Sequence, residues 1–188
     1  PQPSPQPTPE PSPQPAPEPT DEPTPGSLLG YDLALGLSFL FDEANRPGHL
    51  DEANNRIPWR GDSGLNDGRD GIYFGDANLA NLQAGLSLDL TGGYHDAGDH
   101  VKFGLPLAST LSTLAWGGIS FADGYQATDQ MDALLETVRW GTDYLLKAQG
   151  RDATGATTYF IAQVGDGDAD HALWSAPEDQ TIQRPAMA

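Results

Sequence analysis

The first 25 residues cannot contribute to a packed core, and this restricts the folded part of the chain to the remainder. They contain 12 of the 17 prolines, almost every second residue, separated mainly by Gln, Ser, Thr, Glu and Ala. Such a segment buries too little apolar surface to offset the entropy of ordering it. At about 3.1 Å per residue it extends over roughly 75 Å. We predict a disordered proline-rich linker at residues 1–26 and a folded domain at 27–188, and we expect another domain before the linker.

The folded part is strongly acidic. The net charge of the 188-residue chain is -18, and only four acidic residues lie in the linker. Nucleic acids and anionic membranes are therefore not expected as partners. No apolar run approaches 18 residues, so the sequence predicts no membrane span. Cysteine is absent, which excludes disulfides without fixing the compartment, and the linker favours an extracellular location.

Three segments carry apolar residues at helical spacing and predict helices. The expected core-facing stripes are Leu29, Leu33, Leu37, Leu40, Phe41 and Ala44; Leu107, Leu111, Leu114 and Ala115; and Met131, Leu135, Val138, Thr142 and Leu145. Gly117 and Gly118 are predicted to end the second helix, and residues 157–164 to be extended. The patterns together predict an all-α fold with long loops rich in glycine and acidic residues.

One loop, Asp89–Phe103, concentrates side chains that can do chemistry. Asp96 and Asp99 stand three residues apart, flanked by His95 and His100. Two neighbouring carboxylates can hold one water molecule, and a carboxylate that activates water is the base of an inverting glycoside hydrolase. Alternatively, both acids cap the next helix or accept amide protons from the loop. The same four side chains could also bind zinc or iron, although sequence neighbours rarely share one ion.

A second acidic turn imitates the start of a calcium-binding loop. It contains Asp166, Asp168 and Asp170. The sixth and twelfth positions are His171 and Pro177, where an EF-hand needs Gly and Glu. The sequence therefore excludes an EF-hand and leaves only an irregular calcium site open.

The stretch from 49 to 93 is predicted to be mostly irregular. A connection of this length is uncommon in a compact domain and is often functional. This stretch is either a surface excursion or a functional loop in which Trp59, Arg60 and Asp62 line a cleft. The Arg-Gly-Asp triplet at 60–62 also spells an adhesion motif, but three residues are too few to support that function.

Four segments in chain order resemble the cellulases of glycoside hydrolase family 9. They are Trp59–Gly68, Asp89–Phe103, Arg139–Lys147 and Gln163–Glu178. The resemblance covers most of residues 28–188 and implies an (α/α)6 barrel that hydrolyses β-1,4-glucan internally with inversion. It also implies that Asp99 is the general base and that Asp96 helps to hold the nucleophilic water.

The resemblance further indicates substrate contacts and partners. His171 and Trp174 fall where the family contacts sugar, and Trp59, Tyr94 and His95 are additional candidates for substrate binding. The implied partner is cellulose or a related β-1,4-glucan. A carbohydrate-binding or accessory module before the linker would suit a secreted enzyme. No cofactor is implied for the reaction, but many family members bind structural calcium, whose ligands cannot be assigned in this chain.

Three features depart from the family pattern. Residues 69–86 look like an insertion, and its side chains expected at the surface are Asp70, Tyr73, Asp76 and Asn78. His95 stands where the family commonly has an aromatic residue. The catalytic acid of the family is a Glu near the far end of a longer domain, and Glu178 does not match it. We therefore expect about the first third of a barrel, inactive by itself.

Two other functions remain open at this stage. A non-catalytic glucan-binding protein would use the same aromatic side chains and would not need Asp99. A metal-dependent hydrolase would use His95, Asp96, Asp99 and His100, and a chelator would abolish its activity.

Overall fold

A computed structural model describes residues 30–53, 55–74, 82–83 and 86–188. The predicted linker at 1–26 and the insertion residues Asp76 and Asn78 lie outside the described residues. The helices in the described ranges are α1 (Tyr31–Ala44), α2 (Gly104–Ser120), α3 (Ala122–Ala127), α4 (Met131–Lys147) and α5 (Gly167–His171). The strands are β1 (Ile72–Tyr73), β2 (Leu82–Gln83), β3 (Lys102–Phe103), β4 (Gln149–Arg151), β5 (Thr157–Phe160), β6 (Gln163–Val164) and β7 (Ala186–Met187). A 3₁₀ turn spans Pro177–Asp179.

The three long helices pack through α4, which contacts both α1 and α2. The buried residues of α4 are Leu134, Thr137, Gly141 and Tyr144. The predicted stripe, which includes Leu135, lies one position away, and Leu135 is exposed. The reason is close approach of the helices, because a Cβ on Gly141 would lie 2.5 Å from Cδ1 of Leu111. Gly141 therefore faces α2 where the sequence pattern predicted Thr142.

The predicted apolar stripe of α1 is mostly exposed, although the helix itself is confirmed. Its buried side chains are Phe39 and Glu43. Leu33, Leu37 and Phe41 are each more than half exposed. The hydrophobic spacing thus identified the helix correctly but not the face that packs within the described residues.

Helix α2 is also longer than predicted. Leu107 and Leu111 are buried as expected, but Gly117 and Gly118 lie inside the helix. A Cβ on Gly118 would lie 2.6 Å from Cδ2 of Leu134, so glycine at this position allows α2 and α4 to approach each other. None of the described helices has the length and apolar character needed to span a bilayer.

A five-stranded sheet joins segments that are distant in sequence. Its strand order is β2-β1-β7-β6-β3, with β1 and β7 parallel and the other pairs antiparallel. β4 and β5 form a separate two-stranded sheet. The extended conformation predicted for 157–164 is confirmed by β5 and β6. Because β3 follows the acidic loop and β6 precedes α5, pairing of these strands brings that loop and helix together.

Two of the four insertion residues expected at the surface fall within the described ranges. Asp70 is exposed, as expected for a surface loop, whereas Tyr73 is half-buried in β1. The Oδ2 of Asp70 accepts a hydrogen bond of 3.2 Å from the backbone N–H of Arg184. This part of the insertion is therefore joined to the sheet.

Candidate active site

A groove with a volume of about 630 Å³ lies beside the acidic loop. Its lining includes Trp59, His95, Asp99, His100 and Trp174. The indole side chains are largely exposed, 72% for Trp59 and 93% for Trp174. The carboxylate of Asp99 is only 12% exposed. The groove therefore has a carboxylate at its floor and flat aromatic side chains at its rim.

Asp99 is paired with His171, the last residue of α5. The start of α5 is fixed by Asp166, whose side chain accepts a hydrogen bond of 2.8 Å from the backbone N–H of Ala169. The Nε2 of His171 lies 2.7 Å from Oδ2 of Asp99. The other oxygen, Oδ1, accepts a long hydrogen bond of 3.3 Å from the N–H of Ala97. The hydrogen bond to Asp99 raises the pKa of His171, and it also fixes one oxygen of the carboxylate.

Asp96 lines a different, neighbouring cavity. Its side chain is exposed and borders a space of about 170 Å³ together with Tyr94 and Phe103. Its backbone N–H donates a hydrogen bond of 2.9 Å to the C=O of Val101. The structure therefore brings Asp99, and not Asp96, together with the rim residues Trp59 and Trp174.

Tyr94 and His95 form the buried side of the acidic loop. The hydroxyl of Tyr94 donates to the C=O of Thr137 at 2.9 Å, and burial raises the pKa of Tyr94 to about 12. His95 is buried and packs its ring 5.3 Å from that of His100. Burial, together with nearby positive charges, lowers the pKa of His95 to about 2, so the ring is neutral. Both side chains support the loop, and their role as substrate contacts stays a prediction.

A buried arginine supports Trp59 at the rim. Arg60 is 6% exposed and donates from Nε to Oε1 of Glu178 at 2.7 Å. This burial is incompatible with an adhesion motif, which needs an accessible arginine. Asp62, a candidate for the wall of the cleft, does not border the groove. Its Oδ1 instead accepts a hydrogen bond of 2.8 Å from the N–H of Leu50.

The candidate metal ligands do not converge. Asp166 caps α5, and Asp170 accepts a hydrogen bond from the N–H of His100 at 2.9 Å. Among the residues that the structure describes, no group of three or more His, Asp or Glu side chains is arranged to hold a metal ion. The geometry therefore supports neither the metal-dependent hydrolase built on His95, Asp96, Asp99 and His100 nor a calcium site at the second acidic turn.

A buried ionic network beneath the loop was missed from the sequence. Asp67 lies between Nζ of Lys102, at 2.6 Å, and the guanidinium of Arg184. Lys102 also donates to the C=O groups of Leu90 at 2.6 Å and Gly92 at 2.8 Å. Burial lowers the pKa of Lys102 to about 8, although Asp67 opposes the shift. The signal that could have pointed to it is that Asp67 and Lys102 fall within two of the family-like motifs.

A helical scaffold that presents a carboxylate below exposed indoles is typical of carbohydrate-processing proteins, because sugar rings stack on aromatic faces and carboxylates act on glycosidic bonds. Comparison with protein families agrees with this class. Residues 31–188 match the model of glycosyl hydrolase family 9, and the chain belongs to that family. The resemblance inferred from the four sequence motifs is thereby confirmed.

Similar curated proteins are endoglucanases. Endoglucanase A of Bacillus pumilus is 45% identical over 157 residues, which cover 84% of this chain and 21% of that protein. Endoglucanase 22 of Oryza sativa subsp. japonica is 47% identical over 158 residues, which cover 84% of this chain and 25% of that protein. The chain thus spans about a fifth to a quarter of the length of these relatives.

Two solved structures resemble the described part of the chain in fold. The catalytic domain of Clostridium thermocellum CelT superposes with a TM-score of 0.72 at 38% identity, covering 83% of this chain and 34% of that one. The endoglucanase of the termite Nasutitermes takasagoensis gives a TM-score of 0.67 at 44% identity, covering 83% and 31% respectively. The described helices and sheets therefore correspond to about a third of each of those structures.

Proposed function

We propose that this chain is part of an endoglucanase that hydrolyses the β-1,4-glucosidic bonds of cellulose with inversion. In this proposal its long helices belong to an (α/α)6 barrel in the whole protein. The observation that carries the proposal is the position of Asp99, which lies in a groove bordered by Trp59 and Trp174 and is hydrogen-bonded to His171. The endoglucanase relatives add independent support.

Asp99 is the general base in this mechanism. A water molecule between Asp99 and the anomeric carbon gives its proton to the carboxylate while its oxygen attacks the carbon. The glycosidic C–O bond breaks on the opposite face, the leaving oxygen takes a proton from an acid, and the configuration inverts. Because His171 lies 2.7 Å from Oδ2 of Asp99 and Oδ1 accepts only a long hydrogen bond of 3.3 Å from Ala97, Oδ1 is the oxygen that takes the proton of the water.

The proton donor is assigned to a glutamate beyond residue 188, as the family resemblance implies. Glu178 is unsuited to that role. Although burial opposes the shift, hydrogen bonds from Arg60 and from the N–H of Gly61 lower the pKa of Glu178. A carboxyl group that donates a proton near neutral pH needs a raised pKa instead.

The remaining site residues bind water and substrate. The family resemblance assigns Asp96 a share in holding the nucleophilic water, although its exposed side chain borders the neighbouring cavity rather than the groove. Trp59 and Trp174 stack on glucosyl units, His171 contacts the sugar beside Asp99, and His95 adds to the groove lining. Tyr94 is kept as a substrate-binding candidate at the neighbouring cavity. The partner is cellulose or a related β-1,4-glucan.

The location and accessory parts of the protein follow from the linker. We propose that the enzyme is secreted and that the proline-rich linker joins the catalytic part to a carbohydrate-binding or accessory module. The support for this is the composition of residues 1–25, which resembles that of an extended spacer between domains.

The decisive test is Asp99→Asn in the whole protein. The amide keeps the size of the side chain but cannot accept a proton from water, so kcat on soluble cello-oligosaccharides should fall by about 10²- to 10⁴-fold. Binding of the same oligosaccharides, measured by calorimetry, should stay near the unsubstituted value because the indole faces are unchanged.

The matched control is Asp123→Asn, an exposed aspartate on α3, which should hydrolyse normally. Unchanged hydrolysis by Asp99→Asn would remove Asp99 from the mechanism. A whole protein that binds glucan but shows no hydrolysis before any substitution would instead be a non-catalytic binding protein.

A further inference from the structure

Two adjacent pairs of residues, Asp99–His100 and Asp170–His171, are hydrogen-bonded to each other crosswise. The Nε2 of His171 lies 2.7 Å from Oδ2 of Asp99, and the backbone N–H of His100 donates to Oδ1 of Asp170 at 2.9 Å. We propose that Asp170 is a positioning residue, which holds the His100 peptide and thereby sets where the carboxylate of Asp99 meets His171. The proposal rests on the role of Asp99 as the general base.

Asp170 is well suited to hold a peptide group in place. It is 2% exposed, and a buried carboxylate makes a stronger hydrogen bond to an N–H than a neutral acceptor does. Its own backbone N–H donates to the C=O of Asp166 at 2.9 Å within α5. Because His171 is the next residue of the same helix, one rigid element fixes both halves of the crossed contact.

Arg184 holds the other side of the same peptide segment. Its Nη2 donates to the C=O of His100 at 2.6 Å, and its Nη1 lies 3.7 Å from Oδ2 of Asp170. The N–H and the C=O of His100 are thus held by two buried, oppositely charged side chains. The residue preceding this clamped segment is Asp99, so the backbone that carries the base has little freedom to move.

Asp170 has no route to the substrate itself. It is buried, and the groove is lined by Asp99 and His100 rather than by Asp170. Any effect of Asp170 on hydrolysis must therefore pass through the groups it holds, His100 and Arg184, and through the adjoining Asp99 and His171.

A purely electrostatic effect of Asp170 is the competing explanation. The negatively charged groups that face His171 are Asp99, Asp168 and Asp170. Removing the charge of Asp170 would lower the pKa of His171 even if the crossed contact kept its geometry. The test must therefore separate charge from the position of the acceptor oxygen.

Two substitutions in the whole protein make this separation. Asp170→Asn removes the charge but keeps an oxygen where the N–H of His100 needs it, whereas Asp170→Glu keeps the charge and moves the oxygen by one methylene. The control Asp168→Asn removes a neighbouring charge on the same helix that makes no contact with His100. Thermal unfolding confirms that each variant is folded.

Positioning predicts that Asp170→Glu is the damaging change. Its kcat on cello-oligosaccharides should fall by about 10- to 100-fold, the usual effect of removing an outer partner that orients a site residue, with KM nearly unchanged. The NMR titration of His171 should move toward that of a free histidine. Asp170→Asn should keep most of the activity, because its oxygen stays in place although its neutral hydrogen bond is weaker. Asp168→Asn should be as active as the unsubstituted protein.

The reverse pattern, with Asp170→Asn inactive and Asp170→Glu normal, would overturn the proposal in favour of charge. If Asp170→Glu does not fold, the activity of Asp170→Asn decides alone. A folded but inactive Asp170→Asn contradicts the positioning role. The titration of His171 does not require hydrolysis. A whole protein that fails to cleave glucan therefore refutes the proposed function. A His171 titration in Asp170→Glu that matches that of the unsubstituted protein refutes the positioning role.

Discussion

The contact between Asp99 and His171 makes the site sensitive to pH. The hydrogen bond to Asp99 raises the pKa of His171 above its ordinary value of 6.5. A group whose pKa is raised on folding stabilises the fold below its unfolded pKa, and this stabilisation is lost as the pH rises through the folded pKa. The pairing of a charged imidazolium with Asp99 therefore persists at about pH 6 and disappears in more alkaline solution.

Asp99→Asn should return the titration of His171 toward 6.5, because the substitution removes the negative charge that favours the imidazolium. The measurement is an NMR titration of histidine ring carbons in the whole protein.

The control for this titration is Asp123→Asn, at an exposed aspartate on α3, which should leave the His171 curve unchanged. An identical His171 curve in Asp99→Asn and in the unsubstituted protein would mean that the contact with Asp99 does not form in solution.

At the scale of elements, the acidic loop lies directly on α4. Gly93 has a φ of +75°, and a Cβ there would lie 2.7 Å from Cγ of Tyr144. That ring is buried, with Nζ of Lys102 at 4.9 Å from its centroid. The Nε1 of Trp140 donates to the C=O of Gly93 at 2.7 Å, so the backbone of the loop cannot move away from the helix.

Gly93→Ala should therefore destabilise the whole protein more than Gly92→Ala. Both glycines have a positive φ, +75° and +87°, which costs an alanine about 1–2 kcal/mol. Gly92 has open space where a Cβ would stand, so its substitution measures this strain alone. Overpacking against Tyr144 should add about 1–3 kcal/mol for Gly93→Ala.

The comparison is made by chemical denaturation of the two variants under the same conditions. Equal losses in the free energy of unfolding would show that the loop can lift away from Tyr144, and the tight loop–helix packing described above would then be wrong.

At the scale of the whole molecule, the long helices carry apolar side chains on faces that nothing in the described part of the chain covers. On α2 these include Leu105 at 83% exposed and Ile119 at 84% exposed. Exposed apolar surface of this kind is normally covered by other parts of a protein or by a partner. The packing within the described residues therefore buries only part of the apolar surface of its helices.

Residues 27–188 in isolation should consequently show no cooperative thermal transition and only a weak near-ultraviolet circular dichroism signal. The packing of residues 27–188 alone would not hold the aromatic side chains in fixed surroundings, because the long helices are covered on one side only. The whole protein, measured in parallel, should show a sharp transition and a strong signal. A sharp transition from residues 27–188 would mean that they form a finished domain, and the barrel proposal would fail.

How far the sequence alone could predict the structure differs from element to element. The spacing of apolar residues identified α1, α2 and α4, but it misplaced the buried face of α4, where Thr137 and Gly141 lie against neighbouring helices. It also predicted a helix end at Gly118, which instead makes room for Leu134. Hydrophobic spacing reports that a helix exists, whereas the contact between two helices depends on shape, and a glycine carries no hydrophobic signal.

The sequence by itself determined the family, the helical class and the loop that carries Asp99, because these depend on residue types at fixed spacing along the chain. The tertiary structure decided which groups meet. His171 is 72 residues from Asp99, and Asp67 is 117 residues from Arg184, so strand pairing and helix packing, rather than sequence distance, bring them together. Spacing along a chain fixes local conformation, but a site assembled across the fold exists only once the backbone segments that carry its residues are packed against one another.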